Sequence, residues 1–494
     1  MEGAKQKYII AGGGTAGWSA AAALSKFMSH FADIILIESD NIGTVGVGEA
    51  TIPPIRTFQD ILGIEEGEFL KASNATFKLG IKFENWTNEG SSYYHAFGVT
   101  GQSHWAASFQ HYWLSAKSRG CDYRFDSFNS EACAAENKKF SRESGLTYAY
   151  HFDSGAYAKF LRGKCERAGV KRIEGTIKSV NQDGLNGNIT SLQLDDGQVI
   201  DGDFFIDCTG FRALLIGETL KAEYEDWSGE LFCDRAIAVQ TELTSPPIPY
   251  TRAIAHKAGW QWRIPLVHRG GNGIVYSSQY MDDEEALDTL LTSVEGQTIS
   301  NPNHIRFKPG MRREHWKNNC LAVGLAAGFL EPLESTSIYF IHETILKFVR
   351  HNTGCLENGN NIQVFNEKVC QEWDLTKDFI VLHYWLNQRT EEFWVKCRET
   401  AVNERISESV KLFSDTGSVP YRRNLLFEEE SWVQVMMGQG VLPDNWHPLT
   451  NAMSDNEMIA FLEGLKGPIQ ERISGIPAHG EYLEELKENN YGSV

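Results

Sequence analysis

Three glycines at spacings that bind phosphate open the chain's chemistry. Gly12, Gly14 and Gly17 follow the apolar run Tyr8-Ile9-Ile10-Ala11 and precede an alanine-rich segment reaching about Lys26. This is G-x-G-x-x-G at a turn from strand to helix. The first glycine permits the turn, the second lets the backbone approach a pyrophosphate, and the third lets helix pack on strand. The helix start then offers its free N–H groups to the phosphates. A second apolar run, Ile34-Ile35-Leu36-Ile37, ends in Glu38, where an acid takes the hydroxyls of an unphosphorylated ribose. The plain alternative is an ordinary glycine turn with a glutamate at a strand end. It leaves the order strand, turn, helix, strand, acid unexplained.

Other residues carry chemistry of a different kind. Lys78 stands among Phe77, Leu79 and Ile81. Such a lysine either snorkels to water or keeps a desolvated, reactive amine, and residue types alone favour snorkelling. His95 and Phe97 share one side of an extended segment, where they would grip a flat ring or simply pack in the core. In Gly259-Trp260-Gln261-Trp262-Arg263-Ile264-Pro265, two tryptophans share a face and a proline stiffens the end, a feature able to wall off a cofactor. Glu331 and Glu334 precede Ser335-Thr336, which predict the start of a helix running to about His351. That start would present N–H groups to an anion, or be a plain cap beside two surface carboxylates.

The elements around these residues bound the fold. At 494 residues the chain holds two or more structural units. Hydrophobic residues at 42% and charged residues at 22% are those of a globular protein. A net charge of -19 argues against a nucleic-acid partner. Nine scattered cysteines, with neither C-x-x-C nor metal-ligand spacing, predict no metal site and suit a reducing, cytoplasmic compartment. The N-terminal apolar run, broken by glycines and preceded by Glu2, does not read as a signal peptide. No stretch has the length of a membrane span. Gly43, Gly46 and Gly48, closed by Pro53-Pro54, predict a loop brought close to the cofactor, or a plain surface loop.

Residues 69–86 alternate by two from Ala75, which predicts a strand. Residues 131–138 and 154–168 read as helices within a stretch from about Trp105 to Cys165 that suits an inserted substrate domain. Residues 171–180 and 189–194 read as hairpin strands, with Asp195-Asp196-Gly197 as a turn. Phe204-Phe205-Ile206-Asp207-Cys208-Thr209-Gly210 and residues 321–329 are further strands ending in turns. Beyond Gly359 the chain is helical and aromatic. The expected architecture is α/β (α+β): a discontinuous Rossmann-like domain from 1–100 and 150–350, and a largely helical substrate part from 101–150 and 351–494.

Together these motifs carry a resemblance. Gly12-x-Gly14-x-x-Gly17, Gly46-x-Gly48-Glu49-Ala50-Thr51, Lys78 in Phe-Lys-Leu-Gly-Ile-Lys-Phe, Trp260-x-Trp262-x-Ile264-Pro265 and Glu331-Pro332-Leu333-Glu334-Ser335-Thr336 occur in that order. The chain resembles the flavin-dependent halogenases of the tryptophan-halogenase type from about residue 6 to 445. The Trp-x-Trp-x-Ile-Pro element together with the lysine is the specific part. The resemblance implies a flavoprotein-monooxygenase-type fold binding FAD, used as FADH2, through Gly12, Gly14, Thr15, Ala16, Gly17, Glu38, Gly48, Glu49, Ala50, Gly324 and Leu333. It implies that O2 and a halide held by Thr336 and Ser337 yield hypohalous acid, which travels to Lys78. There the oxidant is hydrogen-bonded or forms a haloamine, with Glu334 beside the lysine polarising it and taking the ring proton. His95, Phe97 and Trp432 match substrate positions, and Trp260, Trp262, Ile264 and Pro265 shield the flavin. With this resemblance, the catalytic reading of Lys78 displaces snorkelling.

Two departures stand out. Many relatives have glycine where this chain has Ser337, which bears on the choice of chloride or bromide. Relatives acting on free tryptophan carry paired tyrosines where this chain has Ser431-Trp432-Val433, which points to indole, an indole derivative or another electron-rich aromatic. No second nucleotide motif is present, so a separate flavin reductase would supply FADH2, and a homodimer stays open. Two rival readings share the fold: a flavin-dependent aromatic hydroxylase, and a non-catalytic flavin-binding protein.

Overall fold

A computed structural model describes residues 5–43, 48–104, 106–352, 359–420 and 425–492. Two compact units emerge, each assembled from three stretches of chain. The first takes Met1–Ala75, Phe152–Gly229 and Arg306–Trp373, and the second takes Thr76–His151, Glu230–Ile305 and Asp374–Val494.

The apolar runs near the front of the chain become the centre of the first unit. Its six-stranded sheet follows the order Trp316–Lys317, Cys320–Ala322, Phe204–Asp207, Gln6–Ala11, Ala32–Glu38, Lys171–Glu174. The inner pairings are parallel; the edge pair Trp316–Lys317 and Cys320–Ala322 is antiparallel. Continuous rather than alternating apolar runs suit such a sheet, because both faces are covered. On one face Ile9, Ala11, Ile37 and Phe205 pack with Leu192, Leu194 and Leu215. On the other, Phe204 stacks on Phe348 with ring centroids 5.0 Å apart, and Trp316 closes edge-on against both.

Phe348 belongs to the helix Ser337–His351. The helix Thr15–Met28 is rich in alanine, the best helix former, and carries Lys26 in its last turn, where a cation suits the dipole. The expected hairpin over 171–194 divides differently. Lys171–Glu174 joins the main sheet beside Ala32–Glu38, while Ile177–Gln182 pairs antiparallel with Ile189–Leu194. The chain leaves the main sheet at Gly175, whose N–H donates to the Glu38 carbonyl at 2.9 Å.

The second unit is built on a seven-stranded sheet ordered Asn303–Arg306, Arg235–Thr241, Gly270–Tyr276, Gly259–Pro265, Thr251–His256, Gly80–Glu84, Ser92–Ala96. Thr251–His256 and Gly80–Glu84 run parallel. The other pairings with a defined register are antiparallel. The alternating stretch after Ala75 splits between two sheets. Thr76–Lys78 pairs antiparallel with Ala149–Asp153, and Gly80–Glu84 enters the large sheet. Ahead of it, residues 69–73 are helical within Glu66–Ser73.

Aromatic rings fill this core. Trp86 lies edge-on to Trp394 at 5.2 Å and Tyr384 at 5.4 Å, while Phe83 stacks on Tyr93 at 5.0 Å. Each large aromatic removes roughly 150–250 Å² from water, worth several kcal/mol at about 25 cal/mol per Å². The helices Glu392–Glu399, Glu404–Thr416, Glu429–Gly438, Asp455–Ser474 and His479–Glu488 complete the C-terminal part. Among the described residues no helix is long and apolar enough to cross a membrane. The fold class is α/β.

Candidate active site

The first unit brings the glycine turn, Glu38 and the helix Ser337–His351 around one sheet. Gly12 takes φ +106°, and a Cβ there would lie 2.3 Å from the Cys208 carbonyl oxygen. A Cβ on Gly17 would lie 1.8 Å from the Gly12 carbonyl oxygen, so the helix seats on the turn only with glycine at this place. Gly14 precedes the helix Thr15–Met28 with no side-chain cap, which leaves its first N–H groups for an external acceptor. The turn is buttressed from behind by Asp207. Its Oδ2 accepts from the Leu215 and Ile216 N–H groups at 2.8 Å, and its Oδ1 accepts from the Thr209 N–H at 3.0 Å.

Glu38 ends its strand with the carboxylate already engaged. It accepts from Arg172 Nε at 2.5 Å, Trp18 Nε1 at 3.3 Å and Arg162 Nη1 at 3.4 Å. Sequence reading had no signal for this set, since Arg162 and Arg172 stand far along the chain. Gly48, Glu49 and Ala50 form a short strand; Gly46 of the same motif lies outside the described residues. Burial pushes the Glu49 carboxyl up to about 7, so near neutrality it also serves as a hydrogen-bond donor.

The carboxylate-to-helix segment turns twice. Pro332–Glu334, with Leu333 buried, is a single 3-10 turn. Ser335 is left-handed at φ +59°, and the helix Ser337–His351 then begins with Thr336 as its cap residue. Glu331, Glu334, Ser335 and Thr336 are all buried, which removes the reading of two surface carboxylates. The expectation that the Thr336 side chain caps the helix is not met. It makes no cap hydrogen bond, and its buried Oγ1 has no hydrogen-bond partner. A hydroxyl and a helix start left unsatisfied together suit an anion. A Cβ on Gly324 would lie 3.0 Å from Ala16 Cβ and 3.5 Å from Ile341 Cγ1, so the helices Thr15–Met28 and Ser337–His351 meet at this glycine. One turn into the helix Ser337–His351, His342 stacks on Phe58 at 3.7 Å, and burial lowers its imidazole to about 3.

In the second unit Lys78 is 0% exposed. Its ammonium does not snorkel; Nζ lies 5.4 Å from the centre of the Phe97 ring, an attractive cation–π arrangement. Backbone pairing sets this up. The Phe97 N–H donates to the Leu79 carbonyl at 2.9 Å, and the Leu79 N–H donates to the Pro249 carbonyl at 2.7 Å. The close register Gly80↔Ala96 brings the two strands together.

His95 extends the same wall: Phe379 is edge-on to it at 5.5 Å and Phe427 lies at 6.0 Å. Phe379 stacks on Phe427 at 4.1 Å and reaches Trp432 at 5.6 Å. The Trp432 helix is clamped to the His95 strand by Gln434, whose Oε1 accepts from the Ala96 N–H at 2.9 Å and whose Nε2 donates to the Ala96 carbonyl at 3.3 Å. Phe379, Phe427 and Gln434 were not legible as site residues, because each lies in an ordinary helical or loop pattern.

Trp260 and Trp262 do share a face, with ring centroids 6.3 Å apart. Trp262 lies across Gly273 of the paired strand, where a Cβ would come within 2.0 Å of its ring. Ile264 is buried and Pro265 half-buried. Among the described residues no cluster of His, Cys, Asp or Glu is arranged to hold a metal ion.

The tryptophan halogenase family model matches residues 7–455. The chain is 35% identical to the tryptophan 7-halogenase of Lentzea aerocolonigenes, over 98% of this chain and 99% of that protein. Among solved structures it is similar to a flavin-dependent halogenase from Xanthomonas campestris, with a TM-score of 0.95 and 46% identity over 98% of each chain. A flavin-dependent halogenase from Brevundimonas sp. BAL3 gives a TM-score of 0.93 and 38% identity, over 98% of this chain and 99% of that one. The chain therefore belongs to the tryptophan halogenase family of flavin-dependent halogenases.

Proposed function

We propose that this enzyme halogenates an electron-rich aromatic, indole or an indole derivative, using chloride or bromide, with Lys78 as the residue that delivers the oxidised halogen. The observation that best supports this reading is the wholly buried Lys78 ammonium against Phe97, in the same unit as the cluster of His95, Phe379, Phe427 and Trp432 rings. The FAD site is assigned to the first unit, at Gly12, Gly14, Thr15, Ala16, Gly17, Glu38, Gly48, Glu49, Ala50, Gly324 and Leu333. A dinucleotide fits there on the space kept by Gly12 and Gly17 and on the uncapped helix start. Reduced flavin, when bound, supplies with O2 the oxidising equivalent that turns halide into hypohalous acid.

The remaining roles belong to the chain's own residues. Thr336 Oγ1, Ser337 and the N–H groups of their helix hold the halide. Trp260, Trp262, Ile264 and Pro265 keep the aromatic substrate from the flavin. The Lys78 ammonium hydrogen-bonds the oxygen of the hypohalous acid, so the halogen becomes electrophilic. A ring carbon takes the halogen, the departing oxygen takes a proton from Lys78 and leaves as water, and Glu334 accepts the ring proton. His95, Phe97 and Trp432 orient the ring.

In the assay, purified protein, FAD, a generic flavin reductase and NADH meet indole or tryptophan with bromide or chloride, and mass spectrometry reads the products. Halogen isotope patterns on indole are expected, and so is no NADH consumption without the reductase. Oxygenated product free of halogen would sink this reading in favour of the hydroxylase.

A further inference from the structure

The strand that carries Lys78 is tied to its neighbours by side chains that the chemistry above does not use. Thr76 stands two residues before Lys78, on the same face of the strand. Its hydroxyl donates to the Pro265 carbonyl at 2.6 Å, at the end of the strand bearing Trp260 and Trp262. The Pro265 carbonyl can only accept, so this bond spends the Thr76 proton. His151 Nδ1, 3.2 Å from Thr76 Oγ1, must then donate. His151 Nε2, 2.8 Å from Thr251 Oγ1, is left to accept from that hydroxyl. The result is a one-way chain, Thr251 to His151 to Thr76 to Pro265. Thr76 and His151 are 0% exposed and Thr251 5%.

A second histidine holds the other side. His479 Nδ1 donates to the Pro247 carbonyl at 2.8 Å, and its Nε2 accepts from the Phe77 N–H at 3.3 Å. The His479 ring is therefore neutral, with its proton on Nδ1. Burial, then the nearby Lys78 and His479, lower the His151 imidazole well below its usual range, so it adds no charge beside the ammonium.

We propose that Thr76 and His151 are positioning residues that lock the Lys78 strand to the end of the Trp260–Pro265 strand, with His479 holding the strand from the far side. The inference rests on the halogenase reading of Lys78. A lysine that must meet a small, reactive oxidant needs its Nζ fixed, since a shift of about 1 Å costs up to roughly a hundredfold in rate. Satisfied side-chain bonds between strands supply that rigidity where a three-residue strand alone cannot.

The test uses the full-length enzyme with FAD and reductase. Nitrogen-15 NMR of labelled histidine reads the His151 tautomer, which is expected to carry its proton on Nδ1. Thr76→Val keeps the shape and removes the hydroxyl, whereas Thr76→Ser keeps the hydroxyl. Thr76→Val is expected to lower kcat for halogenated product about tenfold or more with KM for the aromatic within about twofold, while trapped free hypohalous acid rises. Thr76→Ser restores the wild-type split. Should Thr76→Val fail to fold, Thr251→Val breaks the chain one bond further away and predicts the same loss in weaker form. A His151 proton on Nε2, or a wild-type product yield from a folded Thr76→Val or Thr251→Val, would overturn the proposal. A wild type that halogenates nothing overturns the functional reading instead, and the tautomer still decides the hydrogen-bond chain.

Discussion

In the first unit the groups proposed to meet the nucleotide are mostly backbone: the turn around Gly12, the uncapped helix start and the carbonyls packed behind them. In the second unit the groups proposed to meet the aromatic substrate are side chains: a buried ammonium, a histidine and a run of rings. A backbone cradle is made by residues adjacent in sequence, and it tolerates few alternatives, because a single Cβ closes the space. A side-chain wall is made by residues from distant stretches, such as Lys78, His95, Phe379, Phe427 and Trp432, and single members can change without closing anything. On the proposed assignment, the first unit constrains the cofactor and the second is free to set substrate and selectivity.

Breaking each side should give different signatures. The largest effect is expected at Gly17. Gly17→Val places atoms into the Gly12 carbonyl, which stands 1.8 Å from even a Cβ. It should lose FAD binding by a hundredfold or about 3 kcal/mol and more, read by flavin fluorescence. Phe427→Ala removes one ring of the stack with Phe379. It should cost about 3 kcal/mol of stability in chemical denaturation and raise KM for the aromatic, with flavin affinity unchanged. The smallest effect is expected at Thr336. Its buried hydroxyl has no partner, so Thr336→Val should leave stability within about 1 kcal/mol of wild type or raise it. The apparent KM for halide should nonetheless climb several-fold.

The same contrast explains what was legible beforehand. The strand, turn and helix around Gly12 to Gly17 and the strand ending in Glu38 could be read because they follow one another within a few residues, and Gly12 and Gly17 each have a local steric reason. The helix Ser337–His351 was legible for the same reason, its start placed one or two residues early, although the Thr336 side chain makes no cap hydrogen bond. Lys78 was ambiguous by residue type. Only its resemblance to a family motif favoured chemistry over snorkelling, because burial depends on strands that come from elsewhere in the chain. Phe379, Phe427 and Gln434 carried no local signal at all. His151 and His479 were equally silent: each lies far from Lys78 in sequence, and their hydrogen bonds exist only once the sheets have formed. Lys171–Glu174 was misassigned to a hairpin because its parallel partner, Ala32–Glu38, lies more than a hundred residues earlier.

Most direct is a measurement that separates making the oxidant from delivering it. Wild type and Lys78→Met would be run with FAD, reductase, NADH, bromide and indole, while bromoindole is counted by mass spectrometry and free hypobromous acid by a diketone trap. The expected result is bromoindole lowered by a hundredfold or more in Lys78→Met, on the order of 3 kcal/mol of barrier. Oxidant should still be made by the intact first unit and should escape to the trap. Undiminished bromoindole from Lys78→Met would contradict the assignment of delivery to the buried lysine.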